Sequence, residues 1–96
     1  MTQNEINKII INYLMPYEPV KIGLFGSRVR GDYKSNSDLD ILVDLRGKYN
    51  LFDFAGMHVE LEELLGFKVD IVPEQQIKNE LKKYIMKDLE IIYEKR

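Results

Sequence analysis

Ninety-six residues, 45% hydrophobic and 31% charged, suit a globular chain at the small end of the domain range, read as one domain over residues 1–96. No run of about 18 apolar residues is present and the opening MTQNEINKII lacks a basic start and an apolar core, which argues against a membrane span and a secretion signal. With no cysteine there is no disulfide or thiolate chemistry, so a cytoplasmic setting is expected, and a net charge of −2 argues against general nucleic-acid binding.

In chain order, Thr2 and Glu5 have capping-box spacing, and Ile6, Ile9, Ile10, Tyr13 and Leu14 follow a helical period that Pro16 closes. VKIGLFG alternates, with Val20, Ile22 and Leu24 on one side, and reads as a strand ending at Gly26. SRVRGDYKSNS reads as a short helical turn and a loop. DLDILVDL is a second strand, with Leu39, Ile41, Val43 and Leu45 on one face and Asp38, Asp40, Leu42 and Asp44 on the other. RGKYN is a loop. A helix is predicted from Leu51 to Leu65 on Leu51, Phe54, Ala55, Leu61, Leu64 and Leu65, stopped by Gly66. FKVDIV is a third strand ended by Pro73, with Asp70 on the face opposite Phe67, Val69 and Ile71. A helix is predicted over 77–86 with Leu81, Tyr84 and Ile85 as its buried stripe, and residues 89–93 favour a short edge strand over a continuation of that helix. The expected fold is α/β (α+β), a small mixed sheet packed with helices.

Charge is uneven along the chain. Residues 38–74 carry nine acidic and three basic side chains, and two of the acids lie two apart on a strand otherwise rich in apolar residues. Asp38 and Asp40 therefore share a face, with Cα atoms roughly 6.5–7 Å apart. Their carboxylates suit Mg²⁺, which takes a few carboxylates and completes its shell with water and phosphate oxygens. Asp70 has matching parity on the next strand, and three such groups without a cation would repel. With two ions about 3.5–4 Å apart, the cluster can align an attacking and a leaving oxygen. Gly26 ends a strand where a helix starts, so backbone N–H groups can meet a phosphate. The Ser27 hydroxyl adds a donor, and Arg28 is the nearest guanidinium to neutralise phosphate oxygens.

Gly26-Ser27, ten residues, then Asp38-Leu39-Asp40 is similar to the Gly-Ser-x₁₀-Asp-x-Asp signature of the DNA polymerase beta-type nucleotidyltransferase superfamily. GSRVRGDYKSNSDLDILVDL resembles in particular the minimal nucleotidyltransferases, with KVDIV carrying the third aspartate. Larger relatives carry a further acceptor-binding domain, so the resemblance implies that the acceptor docks beside the site. It implies a Mg²⁺-dependent enzyme with two ions that uses ATP as substrate. Asp38, Asp40 and Asp70 would be its catalytic and metal-binding residues, and Gly26, Ser27 and Arg28 would hold the nucleotide. It further implies an antitoxin that transfers AMP to a tyrosine of a HEPN-type RNase toxin encoded by the adjacent gene.

Two other functions stay open at this point. One is a non-catalytic antitoxin that neutralises the toxin by binding, and the other is transfer to a small molecule of aminoglycoside type. Outside the signature the expectations are structural. Asp44 is solvated, Asp32 and Lys34 serve loop solubility, and His58 has no ligand-spaced neighbour. Ser27 has no base beside it and is read as a phosphate donor, not a nucleophile. Tyr33, Tyr49, Tyr84 and Tyr93 pack or meet a partner.

Overall fold

Local signals start the fold. Thr2 Oγ1 accepts from the Glu5 N–H at 3.2 Å while Glu5 Oε1 accepts from the Thr2 N–H at 2.9 Å, so the expected capping box opens α1, Gln3–Leu14. A computed structural model describes residues 1–32, 34 and 37–96; Tyr33, Ser35 and Asn36 of the expected loop lie outside the described residues. A 3₁₀ turn over Met15–Tyr17 follows α1, and Glu18, at φ 55°, turns the chain into β1, Pro19–Phe25. Then come α2 (Ser27–Arg30), β2 (Leu39–Leu45), α3 (Leu51–Leu65), β3 (Val69–Pro73), α4 (Asn79–Asp88) and β4 (Glu90–Glu94). Residues 90–94 are thus a strand, as favoured from the sequence.

The sheet order is β3-β2-β1-β4, with β2 and β3 parallel and the other pairs antiparallel. Its alternation decides everything else. Ile22, Leu24, Leu39, Ile41, Val43, Val69 and Ile71 point to one face and are buried against Ile10 and Leu14 of α1 and Met57, Leu61 and Leu65 of α3. Asp40 and Asp70 take the opposite parity, on a face that α1 and α3 do not cover.

Two helices differ from expectation in the face they bury. The bounds of α3 match, set by an Asn50–Asp53 capping box and by Gly66 at φ 81°. Its buried line is Met57, Leu61 and Leu65, four residues apart, with Phe54 partly covered, while Leu51 and Leu64 are exposed. Those two positions rotate off the core side of the helix. In α4, which starts at Asn79, Leu81 and Tyr84 are not buried: they are 54% and 63% exposed, and only Ile85 is half-covered.

His58 keeps the structural role expected of it, with a specific task. The strand β3 lies at the sheet edge, and its Val69 and Ile71 N–H groups donate to Glu62 Oε2 at 3.0 Å and His58 Nε2 at 2.9 Å. Four residues of helix rise about 6 Å and two residues of strand about 6.5 Å, so one helix face can serve alternate amides of the edge. The Ile71 bond requires a lone pair on Nε2, so the imidazole proton sits on Nδ1, facing the Phe54 carbonyl at 3.0 Å.

Candidate active site

Gly26 makes the corner between β1 and α2. Its backbone, at φ 86° and ψ −164°, is open to glycine and essentially closed to other residues. Phe25 is the cross-strand partner of Asp40, which brings the Asp40 carboxylate directly over Gly26. A Cβ at this position would overlap Asp40 Oδ2. Glycine is therefore required twice, by the turn and by the carboxylate. Val29 and Arg30 N–H donate back to the Gly26 carbonyl at 3.1 Å, closing the single turn of α2. The Ser27 N–H, at the start of that turn, has no carbonyl behind it within the helix.

Asp40 and Asp70 are register partners across the parallel β2–β3 pair. Asp38 is exposed and stands just before β2, not within it. Burial pushes the Asp40 carboxyl up to about 6, and the charges of Asp70 and Asp38 push the same way, against a smaller opposing pull from Arg30. Asp70 leans toward the sheet edge, with Oδ1 3.7 Å from His58 Nε2. Asp40 and Asp70 share one end of one sheet face, with Asp38 just beyond it, but among the described residues no group of three His, Cys, Asp or Glu side chains closes around a common point. The expected convergence is thus one of face and register. Like charges facing one another separate as far as their rotamers allow.

The arginines divide differently from expectation. Arg28 stacks on Phe67, 4.5 Å from guanidinium carbon to ring centroid, and its Nε donates to the Ser37 carbonyl at 3.0 Å. That puts it with Leu24, Leu39 and Phe67, away from the hollow over Asp40. It ties Ser37, the residue before Asp38, to α2. Arg30 is the guanidinium beside Asp40. It pairs with Asp88 at 2.7 Å and Asp32 at 3.3 Å. Two residues of helix turn the two side chains apart by about 200°, so only one can face the carboxylates.

The hollow over the site is a cleft of about 370 Å³ lined by Phe25, Gly26, Ser27, Arg30, Asp40, Tyr84, Ile85 and Asp88. A larger hollow of about 480 Å³ lies around Arg46, Tyr49, Phe54 and Gln75 at the other end of the sheet. Among the described residues no carboxylate lines it, so size does not locate the chemistry. Asp44 points to that end and accepts from the Gln75 side chain at 2.8 Å. It stays apart from the cluster, as expected.

A glycine corner, a first-turn amide, a guanidinium and crowded carboxylates can together hold a polyphosphate and the cation that rides on it. The donor set fits Mg²⁺: all three candidate ligands are carboxylates, and a cation would relieve the burial and like charge that disfavour ionised Asp40.

Known proteins resemble this chain in sequence and in fold. The profile of the nucleotidyltransferase domain family matches residues 6–92. Protein adenylyltransferase MntA of Thermococcus cleftensis is 41% identical over 73 residues, covering 76% of this chain and 72% of that protein. A solved candidate minimal nucleotidyltransferase is 30% identical, with a TM-score of 0.77 over 91% of this chain and 89% of that one. A chain from the complex of a tri-AMPylated Shewanella oneidensis HEPN toxin with MNT antitoxin is 20% identical, with a TM-score of 0.80, over 98% of this chain and 74% of that one. That last likeness is one of fold. Among the described residues no helix is long and apolar enough to cross a membrane.

Proposed function

This chain belongs to the nucleotidyltransferase domain family, and from that premise we propose that it is a Mg²⁺-dependent protein adenylyltransferase acting as an antitoxin. It takes AMP from ATP and places it on a tyrosine hydroxyl of a HEPN-type RNase toxin, encoded by the adjacent gene, in the cytoplasm. The observation that carries this reading is the contact of Asp40 with the Gly26 corner, with Asp70 in register across the sheet. The adenylyltransferase name of the Thermococcus cleftensis relative and the AMPylated toxin of the Shewanella oneidensis complex support the substrate and the partner.

In this mechanism Gly26 and Ser27 hold the triphosphate tail through backbone and hydroxyl donors. Arg30 exchanges one of its carboxylate partners for a phosphate oxygen. Arg28 holds Ser37, the residue before Asp38. Asp38 and Asp40 would hold Mg²⁺, with Asp70 on the acceptor side, and the ion would neutralise charge developing on the phosphates. The acceptor oxygen attacks the α-phosphorus, the bond to the β-phosphate oxygen breaks, and pyrophosphate leaves. Asp70, exposed at the open edge of the sheet, takes the hydroxyl proton.

The test is incubation with α-labelled ATP, Mg²⁺ and the neighbouring gene's product. Label on a partner tyrosine is expected from the native chain and none from Asp38→Ala or Asp40→Ala. A folded protein that labels nothing contradicts the reading. If those variants still neutralise the toxin, occlusion by binding is the mechanism instead.

A further inference from the structure

We infer that Tyr84 is the platform on which the base of the bound nucleotide stacks. This rests on the nucleotidyltransferase reading above and adds where the nucleoside goes. Leu81, Tyr84, Ile85 and Asp88 fall at helical spacing on one side of α4. That side faces the site, because Asp88 pairs with Arg30 and Ile85 is half-covered. An inward stripe of this kind is ordinarily buried. Here Tyr84 remains 63% exposed and Leu81 54% exposed, although the same cleft is lined by Gly26, Ser27 and Asp40.

Direction follows from what stands on each side of Asp40. Toward β3 the surface is polar, with the exposed Asp70 beside His58, the side left to the acceptor. Among the described residues the cleft lining holds two aromatic rings, Phe25 at the phosphate corner itself and Tyr84 on the α4 side. Phe25 adjoins Gly26, too near the phosphates for the base, so a triphosphate anchored at Gly26 finds a flat apolar seat for its base along α4. The Lys83 ammonium lies 5.4 Å from the Tyr84 centroid and occupies one ring face, leaving the other for the base. Among the described residues the cleft lining has no Asn or Gln to read base edges. Selection then comes from stacking, which favours purines over pyrimidines and separates ATP from GTP weakly.

The experiment measures Mg²⁺-dependent binding of ATP, CTP and inorganic tripolyphosphate to the native chain, Tyr84→Ala and Tyr84→Phe. Tyr84→Ala is expected to weaken ATP binding about ten-fold, within the range for one base stacked on one aromatic ring. It should leave tripolyphosphate binding unchanged, and Tyr84→Phe should match the native chain for all three ligands. Native binding of ATP should exceed that of CTP. If Tyr84→Ala binds ATP like the native chain, or loses tripolyphosphate to the same extent, the platform is wrong while the phosphate site stands. If the native chain binds neither ATP nor tripolyphosphate, the nucleotidyltransferase reading fails and the platform with it.

Discussion

The two faces of the sheet are built to opposite standards. The face under α1 and α3 is one continuous cluster in which Ile10, Ile22, Ile41, Met57 and Leu61 are fully buried. The other face carries Asp40, Asp44 and Asp70, and α4 beside it has no fully buried residue. It also holds a carboxyl whose ionised form is disfavoured. Stability is concentrated on the first face, which leaves the second free to hold charge and open apolar surface that would otherwise weaken the fold. Strand parity makes this division possible, since alternate residues of one strand serve different purposes.

The comparison breaks most sharply in the core. Leu61→Ala should cost about 2–5 kcal/mol in denaturant unfolding, with label transfer lost only as far as the protein unfolds. A loss of transfer in fully folded Leu61→Ala would mean that the faces are coupled.

Gly26→Ala belongs to both faces at once. The left-handed backbone alone should cost about 1–3 kcal/mol, and the added methyl displaces the Asp40 carboxylate. Transfer should fall further than the folded fraction does, as judged by thermal melting beside the labelling assay. An alanine variant of native activity would show that Asp40 does not work against the corner.

The arginines sharpen the comparison. Arg30→Ala should weaken ATP about ten-fold, the scale of a charge-assisted hydrogen bond, with little change in stability. Arg28→Ala should lower stability by about 1 kcal/mol through the lost stack on Phe67, with a smaller effect on ATP binding. The reverse pattern would restore the expectation that Arg28 meets phosphate.

Protonation gives the smallest effect. The folded-state pKa of Asp40, about 6, lies above its unfolded value of about 3.9. Its protonation therefore favours the folded state below the unfolded value, and that contribution is lost as pH rises through about 6. Without divalent cations, the native chain should gain stability relative to Asp40→Asn between pH 7.5 and pH 4.5. Mg²⁺ affinity should fall over the same interval, because proton and cation compete for one carboxylate. Parallel stability curves for the two proteins would show that Asp40 is not crowded.

Features fixed by local chemistry were legible in the sequence. Parity alone put Asp40 and Asp70 on one face, and the Gly-Ser spacing picked out the corner. The C-terminal end of α3 follows from Gly66 behind its last turn. Features set by rotation about a helix were not. Arg28 and Arg30 are equivalent in the string GSRVRG, and only the direction of one turn decides which faces Asp40. Leu51 and Leu64 read as core because they are leucines, yet Met57 lies on the buried line. The stripe on α4 has the spacing of a core helix, and nothing in its composition shows that the opposite wall is a cleft. The use of Glu62 and His58 against the β3 edge depends on which strand ends the sheet, a property of topology.

Asp40→Asn tests the division of labour most directly. It keeps the shape of the side chain, removes its charge, and should leave thermal stability at pH 7.5 equal to or above that of the native chain. With labelled ATP, Mg²⁺ and the toxin partner, it should transfer no detectable AMP. Native-level transfer by folded Asp40→Asn, or unfolding caused by the substitution, would contradict the account.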